Sequence, residues 1–356
     1  MSEHSTPSAR VTMAQVGRKC GYHPSTVGLA LRNHPDIAES TRRTILKAAK
    51  EMGYTPDPAL SSLIAHRRAL KAPSGYSTIA IISDLSPPDR WRKIHHTGQE
   101  YFEGMKSQAD RLGYKLDEFS IGREHRMEQR IDDILKARGI RSVIVTPLRS
   151  IDLPVSIDWE SFCAIAIGHS LANPVLPCVT HQHRTGAQTA VKELLRLGYR
   201  RIALVLPYTY DKRVGFGWSA GFFGTSHLYR DRVECMCHYT TIDDDLCVPE
   251  VAEWIRQNRP EVVVTSQQHF HKYLRQLGYR IPEDIGFVQL DCNPDVAEIS
   301  GINQNSAAVG RSAVDWIAML QSGNRRGLPS VQEVRLITGQ WMPGETVRRV
   351  GPSLID

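Results

Sequence analysis

No apolar run in these 356 residues approaches the roughly 20 needed to cross a bilayer. The N-terminus MSEHSTPSAR lacks the apolar segment of a secretory signal, so a cytoplasmic location is expected. Cysteine is sparse and odd in number: seven residues, scattered without a framework, exclude a disulfide-stapled scaffold and fit reduced thiols. Zinc-finger and zinc-ribbon spacings are missing as well. Cys235-x-Cys237-His238, His181-x-His183 and His269-x-His271 are i, i+2 pairs that a strand brings to one face for ordinary reasons, so no metal is expected. Gly217-Trp218-Ser219-Ala220-Gly221 matches G-x-S-x-G, but a nucleophile elbow must leave a strand directly, and the polar stretch from Tyr210 to Gly215 intervenes. No catalytic residue and no cofactor are therefore expected. The C-terminal GETVRRVGPSLID carries no heptad pattern, which argues against a coiled-coil tetramer.

What is present is a small basic head. Residues 1–71 hold eleven Lys and Arg against five Asp and Glu, which accounts for the whole net charge of +6. The basic character is thus localised where neutralising phosphates would use it. From Val11 to Tyr54 the pattern predicts three short helices. The first runs from about Met13 to Cys20, with Thr12 as N-cap and Gly21 as breaker. The second runs from Pro24, a proline suited to the first helical position, to Arg32; His23 is left at its cap. Its core face is Val27, Ala30 and Leu31, whereas Ser25 and Leu29 point elsewhere. The third, Glu39 to Met52, turns Ile45, Leu46, Ala49 and Met52 inward and ends at Gly53. Two helices joined by a short Gly-containing turn and braced by a third make a helix-turn-helix.

The run from Val11 through Leu63 resembles the DNA-binding head and hinge helix of the LacI/GalR family of transcription regulators, and weaker similarity continues along the chain. The resemblance implies that Pro24, Ser25 and Leu29 reach base edges in the major groove, with Thr26 and Arg32 near phosphates and Thr12 and His23 also among the DNA-binding residues. Leu29 departs from the arginine of the best-known members: an apolar side chain meets a thymine methyl but makes no bidentate contact to guanine. Asp57 and Pro58 can open a hinge helix of barely two turns, too short to stand alone. By resemblance Ala59 lies on it, and Leu63 is the residue wedged into a base step of the minor groove.

From Ser77 onward, apolar strand candidates alternate with helical stretches, which argues for a parallel α/β architecture. Expected strands are residues 78–83, 115–121, 142–147, 163–168, 201–207, 233–239, 261–266 and 285–291. Leu112-Gly113-Tyr114, Leu197-Gly198-Tyr199 and Leu277-Gly278-Tyr279 each mark a helix end before a strand. Arg90–Lys93 with Trp91 reads as a solvated loop. The predicted organisation is a disordered tail (1–10), a head (11–56), a hinge helix and linker (57–76) and a two-lobed effector-binding and dimerisation body (77–356). Lobe 1 is placed at about 77–173 and 306–330, lobe 2 at about 174–305 and 331–356, with crossings near 171–177, 300–305 and 329–339. The fold class is a small all-α helix-turn-helix head joined by a hinge helix to a two-lobed, parallel-sheet body like the periplasmic binding proteins.

Ligands of open parallel sheets collect at the carboxyl ends of strands. Those ends offer Asp84, His169, Gln267 and Asp291, with aromatic faces nearby, a mixture suited to a sugar-like ligand. The resemblance makes Asp291 the ligand-binding aspartate, places Gln304 at an interlobe crossing and His169 at a polar contact. It puts Trp218 where the family usually has a sugar-binding arginine, with Arg213 upstream as a substitute. The resulting expectation is a homodimer on palindromic double-stranded operator DNA, its affinity set by a small sugar-like effector between the lobes. The alternative is a ligand-binding protein or sugar-acting enzyme with a vestigial head.

Overall fold

The computed structural model describes residues 11–31, 36–55, 77–121, 125–149, 155–240 and 247–355. Arg32, Ala59 and Leu63, and with them the expected tail and hinge helix, lie outside the described residues.

Helices α1 (Met13–Cys20), α2 (Pro24–Leu31) and α3 (Glu39–Glu51) close around Val16, Val27, Ala30, Ile45, Ala48 and Ala49. Thr12 caps α1 through a complete capping box: its hydroxyl accepts from the Gln15 amide while the Gln15 side chain accepts from the Thr12 amide at 2.7 Å. The turn into α2 depends on two glycines. Gly21 sits at φ 77, and a Cβ on Gly17 would lie 2.4 Å from the Tyr22 carbonyl oxygen. His23 is a working cap, since its Nδ1 accepts from the Ser25 amide at 3.3 Å. One expectation is corrected: Leu46 is 44% exposed and Ala48 takes the buried place, because 45, 48, 49 and 52 share one helical stripe and 46 does not.

The body opens with β1 (Ser77–Ser83), α4 (Arg90–Lys93), α5 (His96–Leu112), β2 (Tyr114–Ser120), α6 (His125–Ala137), β3 (Ser142–Val145), β4 (Cys163–Ile167) and β5 (Cys178–His181). It continues with α7 (His183–Arg196), β6 (Arg201–Pro207), α8 (Tyr208–Arg213), α9 (Gly217–Leu228), β7 (Glu234–Thr240), α10 (Pro249–Asn258), β8 (Val262–Thr265), α11 (Phe270–Gln276), β9 (Gly286–Gln289) and β10 (Gly301–Asn303). Last come α12 (Ser306–Ser322), β11 (Val334–Ile337) and β12 (Gln340–Met342).

These strands form two six-stranded sheets, β11-β5-β4-β3-β1-β2 and β12-β10-β9-β8-β6-β7. Every pairing is parallel except β12 against β10. The strands are apolar runs because helices cover both faces: Ile79, Ile81 and Ile82 of β1 are fully buried, each contributing about 1.5–3 kcal/mol by removal from water. Helices α5 and α12 approach closely in lobe 1. A Cβ on Gly104 would lie 2.0 Å from the Ala307 carbonyl oxygen, and one on Gly310 would lie 2.1 Å from that of Tyr101.

All eight expected strands form, but β5, β10, β11 and β12 were not anticipated. They are three or four residues long and carry little apolar signal of their own. β5 corrects the first crossing. It pairs with β4 and β11 in the first sheet, so the chain changes lobe after His181 and not at 171–177. Likewise β11 returns residues 334–337 to lobe 1 before the last crossing at 338–339. Trp91 is also corrected. It is buried against Phe102, with its indole N–H donating to Glu118 at 3.0 Å, because α4 folds back onto α5.

Candidate functional site

Two places hold the expected site residues. On the head, α2 buries Val27, Gly28 and Ala30, leaves Ser25 exposed and keeps Pro24, Thr26 and Leu29 partly exposed. The residues expected to reach bases therefore lie off the core face. Thr12 and His23, both exposed, are occupied in capping α1 and α2, so their first role is to set the start of each helix.

The second place is the cleft between lobes. Its floor is a chain of bonded rings at the crossings. His181, at the end of β5, is buried; its Nδ1–H donates to the Gln304 carbonyl oxygen at 2.9 Å, and its Nε2 accepts from the Tyr101 hydroxyl at 2.6 Å. Both bonds require the neutral ring, and burial pushes the His181 pKa down to about 4 against the pull of Asp291 and the Gln304 carbonyl. His183 stands edge-on to Trp218 at 5.2 Å and to His181 at 5.5 Å, and burial holds it well below its ordinary range. Tyr101 is pushed well above its usual value, first by burial and then by Asp291.

Asp291, just beyond β9, spans the gap between lobes. Its Oδ2 accepts from Thr97 of α5 at 2.7 Å. His96 approaches its Oδ1 at 3.7 Å, and His95 its Oδ2 at 3.9 Å. Gln268, which follows β8, holds His96 Nδ1 from the other lobe. Burial, with Asp291 second, raises Glu100 to about 7, so its charge is lost near neutral pH. His96 is held below its ordinary range by burial, against the pull of Asp291 and the Cys292 backbone.

The structure therefore brings Asp291, Gln304 and Trp218 into one constellation. The Gln304 side chain donates to the Leu290 carbonyl at 2.8 Å and leaves its Oε1 buried without a partner among the described residues. Arg213, at the end of α8, lies over Tyr210 and acts electrostatically on Tyr101. His169 is exposed but within electrostatic reach of His183. Asp84 instead accepts from the Arg149 amide at 2.8 Å, and the Gln267 amide donates to Thr265 at 3.2 Å; neither bond joins the ring chain. Ser219 donates to the Phe216 carbonyl at 3.3 Å inside α9, and a Cβ on Gly221 would lie 2.2 Å from the Arg184 carbonyl oxygen. The glycine of that motif thus serves α7–α9 packing. Sequence reasoning missed His95, His96, Thr97, Glu100 and Tyr101. The available signal was the His95-His96-Thr97 triplet at the mouth of an amphipathic helix.

A periplasmic binding protein-like domain model matches residues 191–347. Across the chain, 319 residues are 23% identical to the transcriptional regulator CelR of Thermobifida fusca, covering 85% of this chain and 89% of that one. The repressor PurR of Vibrio vulnificus is 25% identical, with 85% and 90% covered. Among solved structures, a CelR–cellobiose complex has a TM-score of 0.59 at 18% identity, covering 95% of this chain and all of that one. The Lac repressor dimer bound to operator and an anti-inducer has 0.57 at 16% identity, covering 95% and 99%.

Proposed function

We propose that this chain is a LacI-family transcription regulator that binds palindromic operator DNA as a homodimer and changes affinity when a small polyhydroxylated ligand enters the interlobe cleft. The observation that carries the DNA half is α2: its core residues are buried while Ser25 and Leu29 remain available, on a turn too tight for any residue but glycine at 17. The three helices act as a helix-turn-helix, with α2 as recognition helix in the major groove. One such helix reads only a few base pairs, so a twofold pair is needed for a usable site. Leu63, within the expected hinge helix, is the wedge at the centre of that site.

The ligand half rests on Asp291, Gln304 and the facing rings of Trp218 and His183, which supply acceptors, a donor and an apolar face for a sugar-like molecule. CelR was solved with cellobiose, which supports the ligand class. Lobe closure alters the spacing of the paired hinge segments, and effector and operator affinities are then coupled reciprocally.

Selection of bound fragments from random duplex DNA tests this reading. A palindrome with a flexible central step is expected, recovered less well by Leu63→Ala and with altered half-sites for Leu29→Ala. Recovery of no motif by the unaltered chain would remove the DNA-binding reading and leave the cleft as the place to seek function.

A further inference from the structure

The nitrogens of His95 and His96 and a carboxylate oxygen of Asp291 all lie within 4.8 Å of one another, at the mouth of the cleft. We propose that these three residues bind one divalent transition-metal ion of the zinc class, which ties lobe 1 to lobe 2. The ligand types, two imidazoles and a carboxylate, are those zinc takes. Ligands about 2.1 Å from a tetrahedral ion stand roughly 3.4 Å apart. Two separations, 3.7 Å (His96 Nε2 to Asp291 Oδ1) and 3.9 Å (His95 Nδ1 to Asp291 Oδ2), run to different carboxylate oxygens, and the three ligand atoms lie within 4.8 Å of one another, so up to about 1.4 Å of inward side-chain movement closes the shell.

Two of the atoms are otherwise unexplained. His96 Nε2 and Asp291 Oδ1 are buried and make no hydrogen bond of good geometry among the described residues, an arrangement that costs free energy unless something sits between them. The surrounding groups orient both rings. Gln268 turns its amide nitrogen toward His96 Nδ1; with the amide turned over, its oxygen would accept the Nδ1 proton and fix the tautomer whose Nε2 has a free lone pair, so metal binding requires that flip. His95 Nδ1 accepts from the Thr97 amide at 3.3 Å and lies 2.8 Å from Thr97 Oγ1, which donates to Asp291 Oδ2 at 2.7 Å, so the His95 ring gives up this helix-capping contact, or turns to offer Nε2, when the ion enters. Glu100 Oε1 stands 3.9 Å from His96 Nε2 and can supply a fourth ligand. Otherwise the fourth position is open to water or to a hydroxyl of the bound effector.

The two histidines begin α5, which packs in lobe 1, and Asp291 follows β9 in lobe 2, so metal binding and lobe closure are one event. Metal binding itself stands without the regulator reading; only its use in setting operator affinity rests on that reading.

The test is a titration of the full chain, freed of metal by chelator, with Co2+ and then with Zn2+ in competition. Visible absorption reports Co2+ coordination, and equilibrium dialysis reports stoichiometry. One Co2+ per chain is expected, with a tetrahedral spectrum that Zn2+ displaces. Affinity should fall at least tenfold in both His96→Gln and Asp291→Asn and stay unchanged in His227→Gln, whose ring lies on α9 away from the cleft. Failure of the unaltered chain to bind Co2+ below millimolar concentration overturns the proposal, whatever the variants do. So does equal binding by all four proteins, which would mark scattered surface histidines. Operator selection run in chelator separates the two readings: a palindrome without metal binding removes the site alone, whereas metal binding without a palindrome keeps the site and removes the regulator.

Discussion

The head and the cleft are built on opposite plans. In the head, every core contact joins residues within one stretch of 44, and the decisive bonds are local: Thr12 with Gln15, His23 with Ser25, and the Gly17 backbone beneath Tyr22. In the cleft, Thr97 meets Asp291 across 194 residues, His181 meets the Gln304 carbonyl across 123, and Tyr101 meets His181 across 80. A local unit folds on short-range signals and can be damaged alone. A site assembled by three chain crossings shares its fate with both sheets.

Substitutions that strike one region and spare the other sharpen this contrast. The largest effect is expected from Gly310→Val, whose Cβ would meet the Tyr101 carbonyl oxygen where α12 crosses α5. Overpacking against backbone should cost more than about 3 kcal/mol and lower the body's thermal midpoint by roughly 10 °C. An unchanged calorimetric transition would mean that the helices can slide apart freely. Gly17→Val strikes the other side of the comparison. Its Cβ meets the Tyr22 carbonyl oxygen, so operator affinity should fall by about 100-fold or more, a loss of about 3 kcal/mol, while the body melts as before. A parallel fall in body stability would show that head and body are one cooperative unit.

Acid should act on the cleft before the head. His181 has a folded pKa of about 4 against an unfolded value near 6.5, so the folded body binds fewer protons between those limits. Its stability is full above about pH 6.5 and is lost as pH falls toward 4, by at most roughly 3 kcal/mol. Chemical denaturation of the body at pH 7 and pH 4.5 measures that slope, and His181→Gln should flatten it. A smaller effect belongs to Tyr101→Phe. It leaves His181 Nε2 buried without its donor, and about 1–2 kcal/mol should disappear from body stability with no change in the head's helices. A neutral result would mean that water replaces the hydroxyl.

The same contrast explains what the sequence made legible. The head helices could be bounded nearly to the residue, because Thr12, Gly21, Pro24 and Gly53 punctuate them and their apolar stripe has a clear period. Leu46 was misplaced because it lies one step outside the 45, 48, 49, 52 stripe, and only packing decides where the edge of that stripe falls. In the body, long strands were visible as apolar runs and the joints at Gly113, Gly198 and Gly278 as left-handed glycines, all three with φ between 75° and 94°. The crossings were not, because β5, β10, β11 and β12 are too short to show a period and are stabilised by neighbours distant in sequence. Asp291, Gln304 and Trp218 were named from family resemblance and lie near one another in the structure, whereas His95, His96 and Thr97 were not named. Nothing near them in sequence says that α5 will begin beside Asp291.

The most direct test of the central claim, that head and cleft are coupled through lobe closure, is the operator affinity of chains with the Thr97–Asp291 bond removed. Thr97→Val and Asp291→Ala leave the head untouched and remove the donor or the acceptor of the interlobe hydrogen bond of 2.7 Å. Titration of the selected operator at fixed salt should show both variants shifted in the same direction by about fivefold or more, the lower end of ordinary allosteric coupling. Operator affinities equal to that of the unaltered chain in both variants would contradict the account and make the cleft a ligand site without a connection to DNA.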